Sequence, residues 1–385
     1  MSKVTIQKVT TQRQRRQYAT FPWQIYRDDP LWVPPLVPDR LKQLNPEKGT
    51  FFQHGEADFF LAYKEGKLAG TIMAAEDRSS NQSRYLRDAM FGFFECINDQ
   101  EVANALFDTA QTWAKAHGLN RLVGPFHQDY DSAYGILIEG RDRPPVISCG
   151  HTPAYYEDLV VRYGFEPYRP DNIAFAVDIT EETREFKLLH KLAAKAKQRG
   201  TVVIREARLD EWDREADRIH FLLNKALAHL VDYVGWDREA LNDTLEPFRK
   251  YADPELVLFA DVGDRTVGFF PGIPNLNEIL HHLNGLRYPW DSLRYLRYKK
   301  LQPKCLAIKS VLVLPEYWGT GVSLMLFSEM LKRARAKGYQ WVDLSLTSAD
   351  NPKTPMLAER MGGEIYKRYR VYSIPVNEAQ YGRKA

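Results

Sequence analysis

Two glycines, Gly319 and Gly321, stand in the stretch Lys309 to Lys332, KSVLVLPEYWGTGVSLMLFSEMLK. Ahead of them a β-branched run, Val311 to Leu314, ends at Pro315, and after them apolar residues at Val322, Met325, Leu326, Met330 and Leu331 follow helical spacing. A strand, a glycine turn and a helix in that order aim the free N–H groups of the first helical turn, and the positive end of the helix dipole, at one spot. Such a spot holds a pyrophosphate. Glycine is needed because a Cβ would block the approach of phosphate oxygens and because turns of this kind often require positive φ. A branched side chain at Gly321 is therefore expected to close the spot while leaving the fold intact.

A second concentration of chemistry is the polar segment of residues 127 to 152, which holds His127, Gln128, Asp129, Asp131, Ser132, Tyr134, Glu139, Arg141, Asp142, Arg143 and His151. Of these, His127, Asp129, Asp131 and Tyr134 are candidates for proton transfer in a cleft, against the plain reading that surface loops are polar. His281 and His282 follow an apolar segment, and His282 is carried as a further candidate against a solvent-facing role. Cys149 beside His151 lacks a recognisable activating neighbourhood for a nucleophile. Tyr366, Tyr369 and Tyr372 read as strand aromatics with exposed hydroxyls. No grouping has the spacing of a metal site.

The elements that must position these residues repeat. Phe60 to Gly70 lies over Leu258 to Gly268, each an apolar strand, a polar turn at Gly66 or Gly263 and a second strand. Ala105 to Gly118 lies over Met325 to Gly338, each an amphipathic helix closed by glycine. A strand follows in both copies, Leu119 to Phe126 and Tyr339 to Leu346, and then a short helix. Gly118 and Gly164 are 22 residues further apart than Gly338 and Gly362, which makes about 127 to 152 an insertion in the first copy. The expected organisation is a first unit over 1–178, a charged linker helix over 179–200 and a second unit over 201–385. The fold class is α/β, mixed and α+β-like, with a central sheet flanked by helices in each unit. Thr11 to Tyr26 reads as a helix with a solvated basic face.

Composition bounds the rest. With 385 residues, 44% hydrophobic and 27% charged, the chain suits two globular domains rather than disorder. A net charge of +3 gives no chain-wide field for nucleic acid or membrane. Three cysteines, far apart, fit a reducing compartment, so cytoplasm is the expected location; no run of about 18 apolar residues occurs. Arg287 to Lys304 mixes aromatic with basic residues and reads as an amphipathic helix with snorkelling cations rather than a nucleic-acid stripe. Peripheral membrane contact and oligomeric state are left open.

At Glu316-Tyr317-Trp318-Gly319-Thr320-Gly321 the chain resembles the GCN5-related N-acetyltransferase (GNAT) superfamily, whose acyl-CoA loop reads Q/R-x-x-G-x-G/A. The first position is acidic here. The resemblance continues through Trp341 to Leu346, Asn351-Pro352 and the helix Pro355 to Arg360, where Ala358 takes the place of a tyrosine that often protonates the departing thiolate. In the first copy, aligning Gly118 with Gly338 puts Asp99 and Glu101 over Gly319 and Gly321, so carboxylates replace the phosphate cradle. Gly124-Pro125, Arg143-Pro144-Pro145 and Tyr155-Tyr156 extend the likeness to the tandem, YghO-like branch. The resemblance implies two GNAT-like units, the first degenerate. It implies acetyl-CoA or another acyl-CoA as cosubstrate, held by Leu312, Val313, Leu314, Trp318, Gly319, Thr320, Gly321, Val322 and Asn351, and an amine as acceptor, a small molecule or a lipid amine of the sphingoid-base kind. An aminoacyl-tRNA-dependent transferase and a non-catalytic acyl-CoA-binding regulator are the alternatives. The acyl length and the general acid and base stay open.

Overall fold

The computed structural model describes residues 4–128, 134–200, 202–228, 235, 237–249, 252–351 and 354–376. Its strands are β1 (Val4–Lys8), β2 (Gly55–Lys64), β3 (Lys67–Asp77), β4 (Asp88–Cys96), β5 (Arg121–Gly124), β6 (Ile136–Glu139), β7 (Glu166–Pro167) and β8 (Asn172–Asp178). They continue with β9 (Val202–Glu206), β10 (Val257–Val262), β11 (Arg265–Pro274), β12 (Cys305–Ile308), β13 (Leu312–Val313), β14 (Trp341–Ser348), β15 (Glu364–Arg370) and β16 (Tyr372–Pro375). One sheet runs β1-β2-β3-β4-β5-β16-β7 and the other β6-β15-β8-β14-β12-β11-β10-β9, with β13 paired to β11.

In the hairpins the repeat holds residue by residue. In the first hairpin Ala62 pairs with Gly70 and the register slips after Ala62; in the second Ala260 pairs with Gly268 and slips after Ala260. Both turns use a glycine at positive φ, Gly66 at 73° and Gly263 at 59°, where no Cβ clash is avoided and backbone conformation alone selects glycine. Helices Gln100–Ala116 and Val322–Ala336 bury Val102, Leu106, Phe107 and Val322, Leu326, Met330 against their sheets. Each is followed by a glycine at positive φ, Gly118 or Gly338.

The sheets cross the chain division drawn at residue 178. β16, from the end of the chain, pairs with β5 and β7 in the first sheet, while β6 and β8 pair with β15 and β14 in the second. Part of the expected insertion, Ile136–Glu139, is thus a strand of the second sheet. The expected helix over 11–26 breaks into Gln12–Thr20 and Pro22–Ile25, because Pro22 has no N–H to continue the first and starts the second at its first turn. The charged linker forms helix Arg184–Arg199, which buries Phe186, Leu189 and Ala193. Among the described residues no helix is long and apolar enough to cross a membrane.

Candidate functional site

In the second sheet, β12 pairs in parallel with β14 only over Cys305–Ile308 against Trp341–Leu344. Beyond Ile308 and Leu344 no backbone hydrogen bond joins 309–311 to 345–347 among the described residues. The strands part. On the other side, Ile308 pairs with Gly272 and Leu312 with Phe269, so three residues, Lys309 to Val311, stand opposite two of β11. That extra residue is a bulge, which bends the strand away from its neighbour and re-aims Lys309. Among the described strands β13 pairs with β11 alone, and its other edge, where Val313 O accepts from the Trp318 indole, faces the opening.

The glycine turn lies at the end of this opening. Gly319 and Gly321 have φ of 77° and 96°, and Gly321 is the N-cap of Val322–Ala336. The Met325 N–H is the first to bond back, to Gly321 O at 3.0 Å, so those of Val322 to Leu324 have no acceptor within the helix. The Trp318 indole donates to Val313 O at 2.9 Å and the Thr320 hydroxyl to Tyr317 O at 2.7 Å, which fixes the turn. Glu316 pairs with Arg265 at 2.7 Å across the turn, which neutralises its charge. Asn351 donates to Thr347 Oγ1 at the end of β14.

Gly321 has a second duty. A Cβ there would lie 2.5 Å from Ala196 Cβ of helix Arg184–Arg199, which packs along Val322–Ala336. The expectation that a branched residue leaves the fold intact is corrected by this contact. Gly321→Val combines overlap with a positive φ and is expected to destabilise the protein by roughly 3 kcal/mol or more, read as a lowered denaturation midpoint. Gly319, with nothing within 4 Å of a built Cβ, is the cleaner probe of the turn.

At the mouth of the opening Lys309 Nζ donates to Ser345 Oγ at 2.7 Å, lies 3.4 Å from Asp343 Oδ2 and 3.7 Å from Cys149 Sγ. Ser345 in turn donates to Asp343, and the Tyr366 hydroxyl donates to Asp343 Oδ1 at 2.7 Å. Burial opposes charge on Lys309, but Cys149 and Asp343 beside it hold its pKa above the usual lysine value. It is an ammonium at neutral pH. Burial pushes the Cys149 thiol up, so it is a thiol rather than a thiolate despite Lys309. The tyrosine hydroxyls are engaged rather than exposed: Tyr366 on Asp343, Tyr369 on Gly150 O at 3.0 Å, Tyr372 on Glu157 at 2.6 Å.

A cavity of about 220 Å³ between the halves joins this cluster to the first sheet. Cys149 and His151 line it from one side and Glu95, His127 and Arg40 from the other, with Tyr26 and Trp32 between. Glu95 accepts from Tyr156 at 2.7 Å; burial, opposed by Tyr156, Tyr26 and Arg40, raises its carboxyl to about 7. His127 stacks on Phe93 at 4.3 Å and Arg40 lies over the same ring at 4.2 Å; burial, helped by Arg40, keeps the imidazole neutral. His151 faces Asp29 at 2.7 Å and not Cys149, and its buried Nδ1 has no hydrogen-bond partner among the described residues.

Of the expected residues, the structure brings His127 to this cavity. Tyr134 packs edge-on to Phe126, and His282 stacks on Tyr298 at 4.3 Å, outside both the cavity wall and the opening. Asp129 and Asp131 lie outside the described residues. Lys309, Asp343, Ser345, Glu95 and Arg40 are not among the residues expected from the sequence. Their signal was there: Lys309 follows the apolar CLAI, Asp343 interrupts WVDLSL and Glu95 interrupts FGFFEC, isolated charges in apolar strands.

The first half shows the same frame with the opening shut. Gly70 pairs with Cys96 as Gly268 pairs with Val313, which sets Gly92 at the position of Lys309. A Cβ on Gly92 would lie 1.4 Å from Phe126 O, and the Phe126 N–H bonds to Phe91 O at 2.9 Å, so backbone closes the gap. The N-caps correspond, and Asp99, not Glu101, replaces Gly321; the alignment shifts because the first helix is two residues longer. Asp99 accepts from the N–H groups of Glu101 and Val102 and pairs with Lys64 at 2.5 Å, which uses up the cradle internally.

Residues 224–362 match the acetyltransferase (GNAT) family. The chain is 29% identical over 374 residues to "Bacterial ceramide synthase" of Caulobacter vibrioides, covering 94% of this chain and 95% of that one. It is 27% identical over 364 residues to "Protein YghO" of Escherichia coli, covering 93% and 92%. Its fold is similar to a solved tandem GNAT protein from the clavulanic acid biosynthesis pathway, with a TM-score of 0.60, 11% identity and coverage of 98% and 100%. Two copies of one bulged hairpin and helix frame stand in a single chain, the second within the stretch that matches the acetyltransferase (GNAT) family, and the chain as a whole has a fold similar to that of a tandem GNAT protein.

Proposed function

We propose that the chain is an acyl-CoA-dependent N-acyltransferase whose second half binds the thioester and whose inter-half cavity takes the acceptor amine. The observation that carries this reading is the opening beside β13, which has a glycine turn at one end and a lysine ammonium at the other. The diphosphate would meet the N–H groups of Val322 to Leu324, and the pantetheine amides the edge of β13 turned away from β11. In the transfer, the amine nitrogen bonds to the carbonyl carbon, the carbon–sulfur bond breaks, the sulfur takes up a proton and the amine loses one. Lys309 supplies hydrogen bonds where negative charge develops, on oxygen and then on sulfur. It thereby stands in for the tyrosine that Ala358 replaces. Asp343, oriented by Tyr366, and Ser345 hold Lys309 in place as positioning residues.

The acceptor class with most support is a long-chain amino alcohol, because the ceramide synthase relative carries that chemistry in its name and because the cavity wall sets apolar surface from Tyr26, Trp32, Phe93 and Leu280 beside polar groups such as Glu95 and His127. Incubation with acetyl-CoA and longer acyl-CoAs against a panel of amines, followed by thiol release and mass spectrometry, tests it. An N-acylated product supports the reading; CoA binding without turnover on any amine would leave a regulator instead.

The closed first half leads to a further expectation. Calorimetry with CoA should give one site per chain. Gly319→Ala should weaken that site by about tenfold through added bulk and strain in the turn, while Asp99→Asn leaves it unchanged. Two equivalent sites would refute the assignment.

A further inference from the structure

Helix Asp291–Tyr298 wears its apolar face on the outside. Its buried side is Asp291, fully enclosed and accepting from Asn284 Nδ2 at 3.1 Å and the Tyr288 N–H at 2.9 Å, together with Tyr298, stacked on His282. The opposite side carries Trp290, Leu293 and Leu296, at three-residue spacing, with 63%, 67% and 59% of their surface exposed. An ordinary surface helix turns such residues inward. Tyr288 stacks flat on Trp290 at 4.8 Å and extends the patch. Around it stand Arg294, Arg297, Lys299 and Lys300, of which only Arg294 has an ion-pair partner among the described residues, Asp291.

We infer that this helix docks the protein on the surface of a bilayer bearing anionic lipids. The stripe of Trp290, Leu293 and Leu296 enters the boundary between headgroups and acyl chains, and the flanking cations meet lipid phosphates. Other occupants fit less well. A second copy docked by the same face would set these cations against their own counterparts. A nucleic acid would pair with the cations but leave two exposed leucines against water or phosphate. The patch also lies close to the cavity: Arg287 covers the Trp23 ring at 5.3 Å, and Trp23 meets Trp32 of the cavity wall edge-on at 5.1 Å. An amphiphile would travel a short distance from bilayer to cavity. The docking itself does not depend on the acyltransferase reading.

Flotation of the full chain with phosphatidylcholine vesicles, with and without phosphatidylglycerol, tests the inference. Binding is expected to the anionic vesicles, to weaken with salt, and to fall roughly tenfold or more in Leu293→Asp/Leu296→Asp. Arg297→Gln/Lys299→Gln/Lys300→Gln should abolish the preference for phosphatidylglycerol. Trp290→Phe should remove a blue shift of tryptophan emission on vesicle addition. Since these side chains are exposed, the variants should keep the parent circular dichroism. Absence of vesicle binding, binding indifferent to the leucine variant, or a patch-dependent dimer or RNA complex in place of vesicle binding would overturn it. Turnover on a water-soluble amine should be unchanged in all three variants, so failure of the docking and failure of the proposed activity are read separately.

Discussion

Lys309→Met is expected to lower kcat for acyl transfer by about 10² to 10³, with KM for the acyl-CoA changed only a few-fold. The ammonium is a single preorganised donor in a site where burial keeps water from substituting for it, and removal of one such donor typically costs about 3 to 4 kcal/mol of transition-state stabilisation. The ground-state thioester carries little charge, so its binding should hardly register the loss. Steady-state kinetics with a saturating amine checks this. Lys309→Arg keeps the charge but not the reach and should recover part of the rate. If Lys309→Met turned over like the parent, Lys309 would be a structural cation and the assignment of the opening as the reacting centre would fall. Asp343→Asn is a harsher change, because the buried carboxylate anchors Lys309, Ser345 and Tyr366 together.

For Glu95→Gln, kcat/KM should drop by about 10² and lose its dependence on pH near neutrality. With a carboxyl raised to about 7, the parent gains carboxylate as pH climbs through that value, and with it the ability to hold the incoming ammonium or draw its proton through a water. The parent profile should therefore rise through about pH 7, and that of the variant should not. Stability moves the opposite way. Folded Glu95 keeps its proton to about pH 7, while the unfolded chain releases it at the ordinary carboxyl value, so the stabilising contribution is complete at low pH and is lost as pH rises through 7. The loss is on the order of 3 kcal/mol at most, and Glu95→Gln should flatten it. Denaturation midpoints taken between pH 4 and 8 separate this behaviour from a purely catalytic one.

The fold was legible where periodicity and glycine act locally. The hairpins at Gly66 and Gly263 and the helices closed by Gly118 and Gly338 can be read from the chain because turn chemistry and amphipathic spacing are properties of neighbouring residues. The exchange of strands was not. Nothing local in Tyr372–Pro375 says that its partner is Arg121–Gly124 rather than a strand of its own sheet, since an apolar strand fits any exposed edge. The same limit applied to the site. The glycine turn was found because its function is carried by backbone, and backbone needs a sequence-local pattern. Lys309 meets Cys149 across 160 positions and Ser345 across 36, and such contacts exist only after the sheets assemble. Gly321 was read for one reason and serves two, because the helix that crowds it begins more than a hundred residues earlier.

The exchanged strand also sets an order of events during synthesis. A ribosome makes β1 to β5 well before β16, and among the described strands nothing else occupies the edge of β5 that β16 will take. An unpaired edge of this kind invites other strands. The nascent first half must wait, shielded, while some 250 further residues are translated, and an early stop that removes only the last strand would damage the half of the protein made longest before it.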